Sequence, residues 1–159
     1  MSTLKRLYQF HFRNEKRERA FLASLGFLAT FGGVRAITYM IHVGVGPFHN
    51  VVTSGGLHIH HLVWGFLLLL LVGLVWLLEV GVGSSWLASV TAIVFGLAAA
   101  LSLDEFALML DLRDVYWERQ GRVSVDVAVL FFNVLLLAWW GGPFLAGLVR
   151  EAWHRVSPA

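Results

Sequence analysis

Four long blocks of hydrophobic residues, separated by short polar segments, run along the chain. They cover residues 20–43, 57–78, 84–103 and 123–149, and the third block can be extended to residue 112. A helix of about 20 such residues crosses the hydrocarbon core of a bilayer. Because the blocks are continuous rather than alternating, helices are favoured over the strands of a membrane barrel. The pattern predicts an all-α, polytopic integral membrane protein with a bundle of four transmembrane helices.

The composition agrees with a membrane protein and excludes several functions. Of the 159 residues, 58% are hydrophobic and only 14% are charged, whereas soluble domains have about 25% charged residues. Cysteine is absent, which rules out a disulfide framework, a thiolate metal site and a cysteine nucleophile. The sequence contains no phosphate-binding glycine loop, nucleophile elbow or dinucleotide fingerprint. The expected surroundings are the lipid bilayer, with a homo-oligomer or a larger membrane complex as a further possibility, and not nucleic acid.

The distribution of basic residues predicts the orientation and the division of the chain. Residues 1–19 form a basic N-terminal segment, residues 20–149 the four-helix bundle, and residues 150–159 a short tail. Basic segments stay in the cytoplasm, and an even number of spans returns the tail to the same side. The protein is therefore expected in the cell membrane, multi-pass, with both termini cytoplasmic. The basic residues of the first segment are Lys5, Arg6, Arg13, Lys16, Arg17 and Arg19.

With this orientation, histidines and acids converge at the outer end of the bundle. Five of the seven histidines lie between the first and second helices: His42, His49, His58, His60 and His61. Six of the ten acids lie between the end of the third helix and the start of the fourth: Asp104, Glu105, Asp111, Asp114, Glu118 and Asp126. Helices in so small a bundle bring some of these side chains within reach of each other.

The histidine spacing suggests a divalent metal site. His58 and His61 lie about 60° apart on a helix and share one face. Together with a carboxylate from Asp104 or Glu105 they would suit zinc, iron or manganese, and a metal-bound water would then support a hydrolase or an oxidoreductase. Further ligands or close partners are His42, His60 and Asp126. The alternative is that these histidines are interfacial and bind lipid headgroups or loop carbonyls.

Arg35 is the one Lys or Arg residue inside the first hydrophobic block. It follows 15 uncharged residues, which places it about 22 Å from the inner boundary. An unpaired Arg at that depth is costly, so the sequence predicts a carboxylate partner from Asp104, Glu105 or Asp126. The alternatives are that Arg35 binds an anionic substrate or a lipid phosphate, or that its side chain extends to the outer interface.

The aromatic residues and glycines of the blocks are interpreted as anchors and packing positions. Tyr116 and Trp117 fit an outer aromatic belt. Glycines within the apolar blocks allow close packing of membrane helices, including packing between subunits; they include Gly26, Gly32, Gly33, Gly65, Gly73 and Gly96.

Three classes of function follow from these patterns. The first is a membrane-embedded metal-binding protein, with possible metal-dependent hydrolase or oxidoreductase activity. The second is an accessory or assembly subunit whose polar end binds a protein partner or a lipid headgroup. The third is an oligomeric ion or proton transport protein, which is weakened because the inner halves of all four blocks contain almost no ionisable residues.

Overall fold

A computed structural model describes residues 12–49, 52, 54–56, 59–114 and 116–156. These residues form helices connected by turns. The elements are α1 (Glu15–Val43), α2 (His61–Leu77), α3 (Ser85–Asp104), α4 (Phe106–Asp111), a 3-10 turn (Arg119–Gly121) and α5 (Arg122–Val156). Residues 1–11 of the N-terminal segment and residues 157–159 of the tail lie outside the described residues, as do Leu57 and His58.

Three of the helical segments are long and apolar enough to cross a membrane. They are Glu15–Val43, Ser85–Asp104 and Arg119–Trp140. The fourth apolar helix, α2, has 17 residues and a length of about 25 Å. It starts only at His61, because His60 has an extended backbone with φ −74° and ψ 144°. The protein is therefore all-helical over the described residues, with three candidate spans and one shorter apolar helix.

Local signals define where α1 begins and ends. Its N-cap is Asn14, whose side chain accepts hydrogen bonds from the backbone N–H groups of Lys16 and Arg17. Glu15 and Glu18 lie in the first turn, where negative charge is favourable to the helix dipole. The helix ends at Gly44, which has a left-handed backbone with φ 70°, a conformation that glycine adopts without steric cost. The start of α1, next to the basic residues, is therefore defined by the Asn14 cap, and its end, next to His42, by Gly44.

α3 is the central helix and packs closely against both α1 and α2. The approach to α1 depends on Gly96, where an added Cβ would lie 2.0 Å from the carbonyl oxygen of Ala23. The approach to α2 depends on Gly65, where an added Cβ would lie 2.6 Å from Ser102 Oγ. α5 packs against α1 and α3. The buried core between these helices consists of Ala23, Phe27, Ala99, Ala100, Ala128 and Leu135.

The helical path breaks at one acidic pair. α3 ends at Asp104, Glu105 has φ −110° and ψ 27°, and α4 starts at Phe106. The backbone N–H of Ala107, just after the break, donates to Ser124 Oγ of α5 at 2.9 Å. Ser124 is 2% exposed, so a buried side chain satisfies a backbone amide in the first turn of α4. We use the term polar end for the region formed by the end of α1, the start of α2, this break, residues 112–114 and residues 116–118.

Candidate functional site

Asp104 is the centre of a buried hydrogen-bond network at the polar end. Asp104 is fully buried. Oδ1 accepts a short hydrogen bond from Arg35 Nε of α1. Oδ2 accepts a hydrogen bond from the Tyr116 hydroxyl at 2.9 Å and lies 3.0 Å from His61 Nε2 of α2. One carboxylate thus connects α1, α2, α3 and the segment after α4.

Tyr116 extends this network to a second position on α1. Its hydroxyl oxygen lies 3.0 Å from Thr38 Oγ1, and the guanidinium carbon of Arg35 lies 4.6 Å from the centre of its ring. Burial raises the pKa of the Tyr116 phenol above its usual range, and the neighbouring Asp104 carboxylate raises it further. The phenol therefore stays protonated at physiological pH and remains a donor to Asp104.

Glu105, the second acid of the break, holds the start of α2. Its Oε2 accepts the backbone N–H of Leu62 at 2.9 Å, and its Oε1 lies 2.8 Å from His60 Nδ1. His60 is the N-cap residue of α2, and its own side chain makes no capping hydrogen bond. A carboxylate at a helix N-terminus satisfies a free N–H group and favours the helix dipole. Glu105 therefore acts as a remote cap for α2.

His61 lies between the two carboxylates. Its Nε2 faces Asp104 Oδ2 at 3.0 Å, and its Nδ1 lies 3.6 Å from Glu105 Oε1. The side chain is 22% exposed, whereas that of Asp104 is fully buried. His61 is therefore hydrogen-bonded to the buried network on one side and partly exposed on the other.

His61 also lines a pocket of about 600 Å³ between α1, α2 and the loops of the polar end. The apolar walls come mainly from Val34, Ile37, Ile41, Phe48 and Ile59. Polar lining residues are Thr38, His42, His49, His60, His61, Glu105 and Asp114. Trp64, Tyr116 and Trp117 complete the lining, and the ring of Trp117 stacks on that of His42 with centroids 4.0 Å apart. The pocket is therefore lined by both apolar and polar side chains.

The structure brings together most of the residues singled out from the sequence. His61, Asp104 and Glu105 are neighbours, Arg35 pairs with Asp104, and His42 lines the pocket. His60, which was given a secondary role, contacts Glu105 as closely as His61 contacts Asp104. Asp126 is exposed on α5 and takes no part in the hydrogen bonds described above.

The metal hypothesis stays a prediction. Within the part of the chain that the structure describes, no group of three or more His, Asp or Glu side chains is arranged to hold a metal ion. His58, one of the two histidines assigned as ligands, lies outside the described residues.

Thr38 and Tyr116 are the network members that sequence reasoning missed. Thr38 follows Arg35 by three positions and so lies on the same face of α1, a signal that would have identified it. The sequence indicates only an interfacial anchor at Tyr116, and its contact with Asp104 depends on how the loop folds back.

The chain matches no family model, no curated protein and no solved structure at a significant level, so its function is inferred from the geometry of the site.

Proposed function

We propose that the chain is a polytopic membrane protein with four transmembrane helices, and that it binds the headgroup of an amphiphilic ligand at the polar end. Both termini lie in the cytoplasm and the polar end faces the outer side. This assignment follows the positive-inside rule, since the described residues Arg13, Lys16, Arg17 and Arg19 flank the opposite end of α1. The function belongs to the class of accessory or lipid-binding subunits.

The apolar surface of α2 supports its placement as the fourth span. Leu67, Leu70 and Leu71 are 51%, 57% and 55% exposed. A water-soluble protein rarely exposes a contiguous apolar surface of this kind. Hydrocarbon would solvate these side chains at no cost. A length of 17 residues is at the lower end of the range of about 17–25 residues for a transmembrane helix, and the polar cap from Glu105 suits a helix that begins near the interface.

The observation that carries the proposed binding function is the pocket itself. Ligand sites usually have volumes of about 300–1,000 Å³, mostly apolar walls and a few convergent polar groups, and the pocket has these properties. Its apolar lining comes mainly from α1 and from Phe48 and Ile59 between α1 and α2, while its polar lining includes Glu105, His60 and His61. A ligand with an apolar chain and a polar headgroup would match both parts.

A transport function has less support. No Asp, Glu, Lys, Arg or His occurs in residues 62–77 of α2 or residues 85–103 of α3. A single bundle therefore provides no continuous path of ionisable side chains from the polar end to the other side.

The divalent metal is the second candidate, and one observation favours it. The Nδ1 atoms of His60 and His61 lie 2.8 and 3.6 Å from the same oxygen of Glu105, and imidazole with carboxylate is a ligand combination that suits zinc, iron or manganese. His60, His61 and Glu105 are not by themselves arranged to hold a metal ion, so the site would need at least one further ligand, and His58 is the residue that the sequence offers.

Single cysteines on either side of α2 are expected to react from opposite sides of the membrane. The chain has no native cysteine, so Ser54→Cys, Val82→Cys and Ser2→Cys each report one position. An impermeant maleimide applied to intact cells should label Ser54→Cys, and should label the other two only after permeabilisation. Labelling of both Ser54→Cys and Val82→Cys in intact cells would show that α2 does not cross the membrane.

Narrowing the pocket is expected to reduce amphiphile binding. Ile41→Trp places a larger side chain in the wall, and we expect binding to weaken on the order of tenfold, equivalent to about 1.4 kcal/mol. Native mass spectrometry of the purified protein, incubated with lipids of mixed headgroups, would report bound mass. Leu28→Trp is the matched control, because Leu28 is exposed on the same helix and lies outside the pocket lining. Equal binding by Ile41→Trp and Leu28→Trp would exclude the pocket as the binding site. A bound metal ion that is lost in His60→Ala would favour the second candidate, the divalent metal.

A further inference from the structure

The fixed charges that line the pocket are negative. Glu105 and Asp114 are lining residues, and none of the described lining residues is Lys or Arg. Arg35 lies close by, but its Nε is hydrogen-bonded to the fully buried Asp104. An anionic headgroup would therefore meet carboxylates without a fixed cationic partner, whereas a cationic headgroup would be complementary in charge.

Aromatic rings add a second feature that favours a cation. Phe48, Trp64, Tyr116 and Trp117 all line the pocket. The ring of Tyr116 already interacts with the guanidinium of Arg35, and that of Trp117 with His42. Phe48 and Trp64 have no such ring or cation contact among the described residues, and both are exposed. An aromatic face attracts a cation placed within about 6 Å of its centre.

The hydrogen bonds that the two acids already make reduce the number of acceptors left for the N–H donors of a cation, although each carboxylate oxygen can accept a second bond. Both oxygens of Glu105 already have partners, His60 Nδ1 and the backbone N–H of Leu62. Asp114 Oδ1 accepts the backbone N–H of Tyr116 at 3.1 Å. A primary ammonium has three N–H donors that need acceptors, whereas a quaternary ammonium has none and requires only negative potential and aromatic faces.

From these observations we infer that the pocket selects amphiphiles with a quaternary ammonium headgroup, an inference that rests on the proposed ligand-binding function. The headgroup lies against Trp64 and Phe48 in the negative potential of Glu105 and Asp114. The apolar chain follows the wall formed by Ile37 and Ile41 of α1.

The test uses three probes with the same twelve-carbon chain, each below its micelle-forming concentration. They are dodecyltrimethylammonium, dodecylammonium and dodecanoate, and binding to the purified protein in nanodiscs of uncharged lipid is measured by calorimetry, with empty nanodiscs subtracted. We expect saturable binding of the quaternary probe at least about tenfold tighter than that of dodecanoate, with the primary ammonium between them.

Two variants with matched controls test the residues that carry the selectivity. Trp64→Leu and Asp114→Asn should each weaken binding of the quaternary probe about two- to fivefold, the range of one exposed cation–π contact or one nearby charge. The controls are Trp86→Leu and Asp111→Asn, which remove the same groups outside the pocket lining and should leave the affinity unchanged.

The outcomes separate this inference from the proposed function. If all three probes bind with similar affinity, and Ile41→Trp weakens each of them, the pocket binds amphiphiles but the headgroup selectivity is overturned. Tighter binding of dodecanoate than of the quaternary probe would overturn it equally. If no probe binds saturably, or if Ile41→Trp has no effect on any of them, the proposed function itself fails and the inference fails with it.

Discussion

Replacing Gly96 with alanine is expected to destabilise the protein strongly, although alanine is the better helix former. A Cβ at this position would lie 2.0 Å from the carbonyl oxygen of Ala23 and 2.8 Å from the backbone nitrogen of Phe27. Both are backbone atoms of α1, so no side chain can rotate away and α1 must move from α3. Overpacking of this kind costs about 1–3 kcal/mol and occasionally more, and we expect the upper end of that range.

The matched control is Gly73→Ala on α2. No heavy atom lies within 4 Å of a Cβ placed at Gly73, and alanine gains about 1 kcal/mol of helix propensity over glycine. Thermal unfolding in detergent, followed by tryptophan fluorescence, should give a lower midpoint for Gly96→Ala and an equal or higher one for Gly73→Ala. Equal midpoints for the two variants would contradict the close approach of α1 and α3.

The same glycines show what the sequence could not provide. By pattern, Gly32, Gly33 and Gly73 are packing positions as good as Gly26, Gly65 and Gly96. The structure places backbone or side-chain atoms within 3 Å of an added Cβ at the last three and nothing within 4 Å at the first three. Close packing depends on which helix lies opposite each face, and this tertiary property is not encoded in the local spacing.

The helices themselves could be predicted closely, because hydrophobic length and flanking charge determine them. The first block was expected to end at Val43, as α1 does, and the third to cover residues 84–103, close to α3 at Ser85–Asp104. The second block was expected to start at residue 57, whereas α2 starts at His61. That start depends on a cap from Glu105, which is distant in sequence and could not be anticipated from the block itself.

The location of the site could be predicted, and so could a carboxylate partner for Arg35 among three candidates, but the roles of the individual histidines could not. Antiparallel helices necessarily place the histidines and the acids at one end, and the structure puts His60, His61, Asp104 and Glu105 there. His58 and His61 share one face only if one continuous helix runs through both. His60 is extended rather than helical, so spacing of 100° per residue does not apply before His61. This is why His60 has a larger role than the helical pattern indicated.

Removal of the partner of Arg35 is expected to be more harmful than removal of the whole pair. Asp104 is fully buried and the Arg35 side chain is 29% exposed. Asp104→Leu would leave the guanidinium without its carboxylate inside the helix bundle, and breaking one side of a buried pair costs about 3–5 kcal/mol. In Asp104→Leu/Arg35→Met no isolated charge remains, so the double variant should recover on the order of 2 kcal/mol relative to the sum of the single variants.

The control is the same cycle with Asp126→Leu, because Asp126 was an equal candidate in the sequence but is exposed on α5 and outside the network. Midpoints of thermal unfolding for both cycles in one detergent should give a clear coupling energy for Arg35 with Asp104 and additivity within about 0.5 kcal/mol for Arg35 with Asp126. Tyr116→Phe, which removes one donor to Asp104, should cost about 1 kcal/mol. Additivity in both cycles would mean that Arg35 reaches water or lipid headgroups instead, and Asp104 would then need His61 and Tyr116 alone to account for its burial.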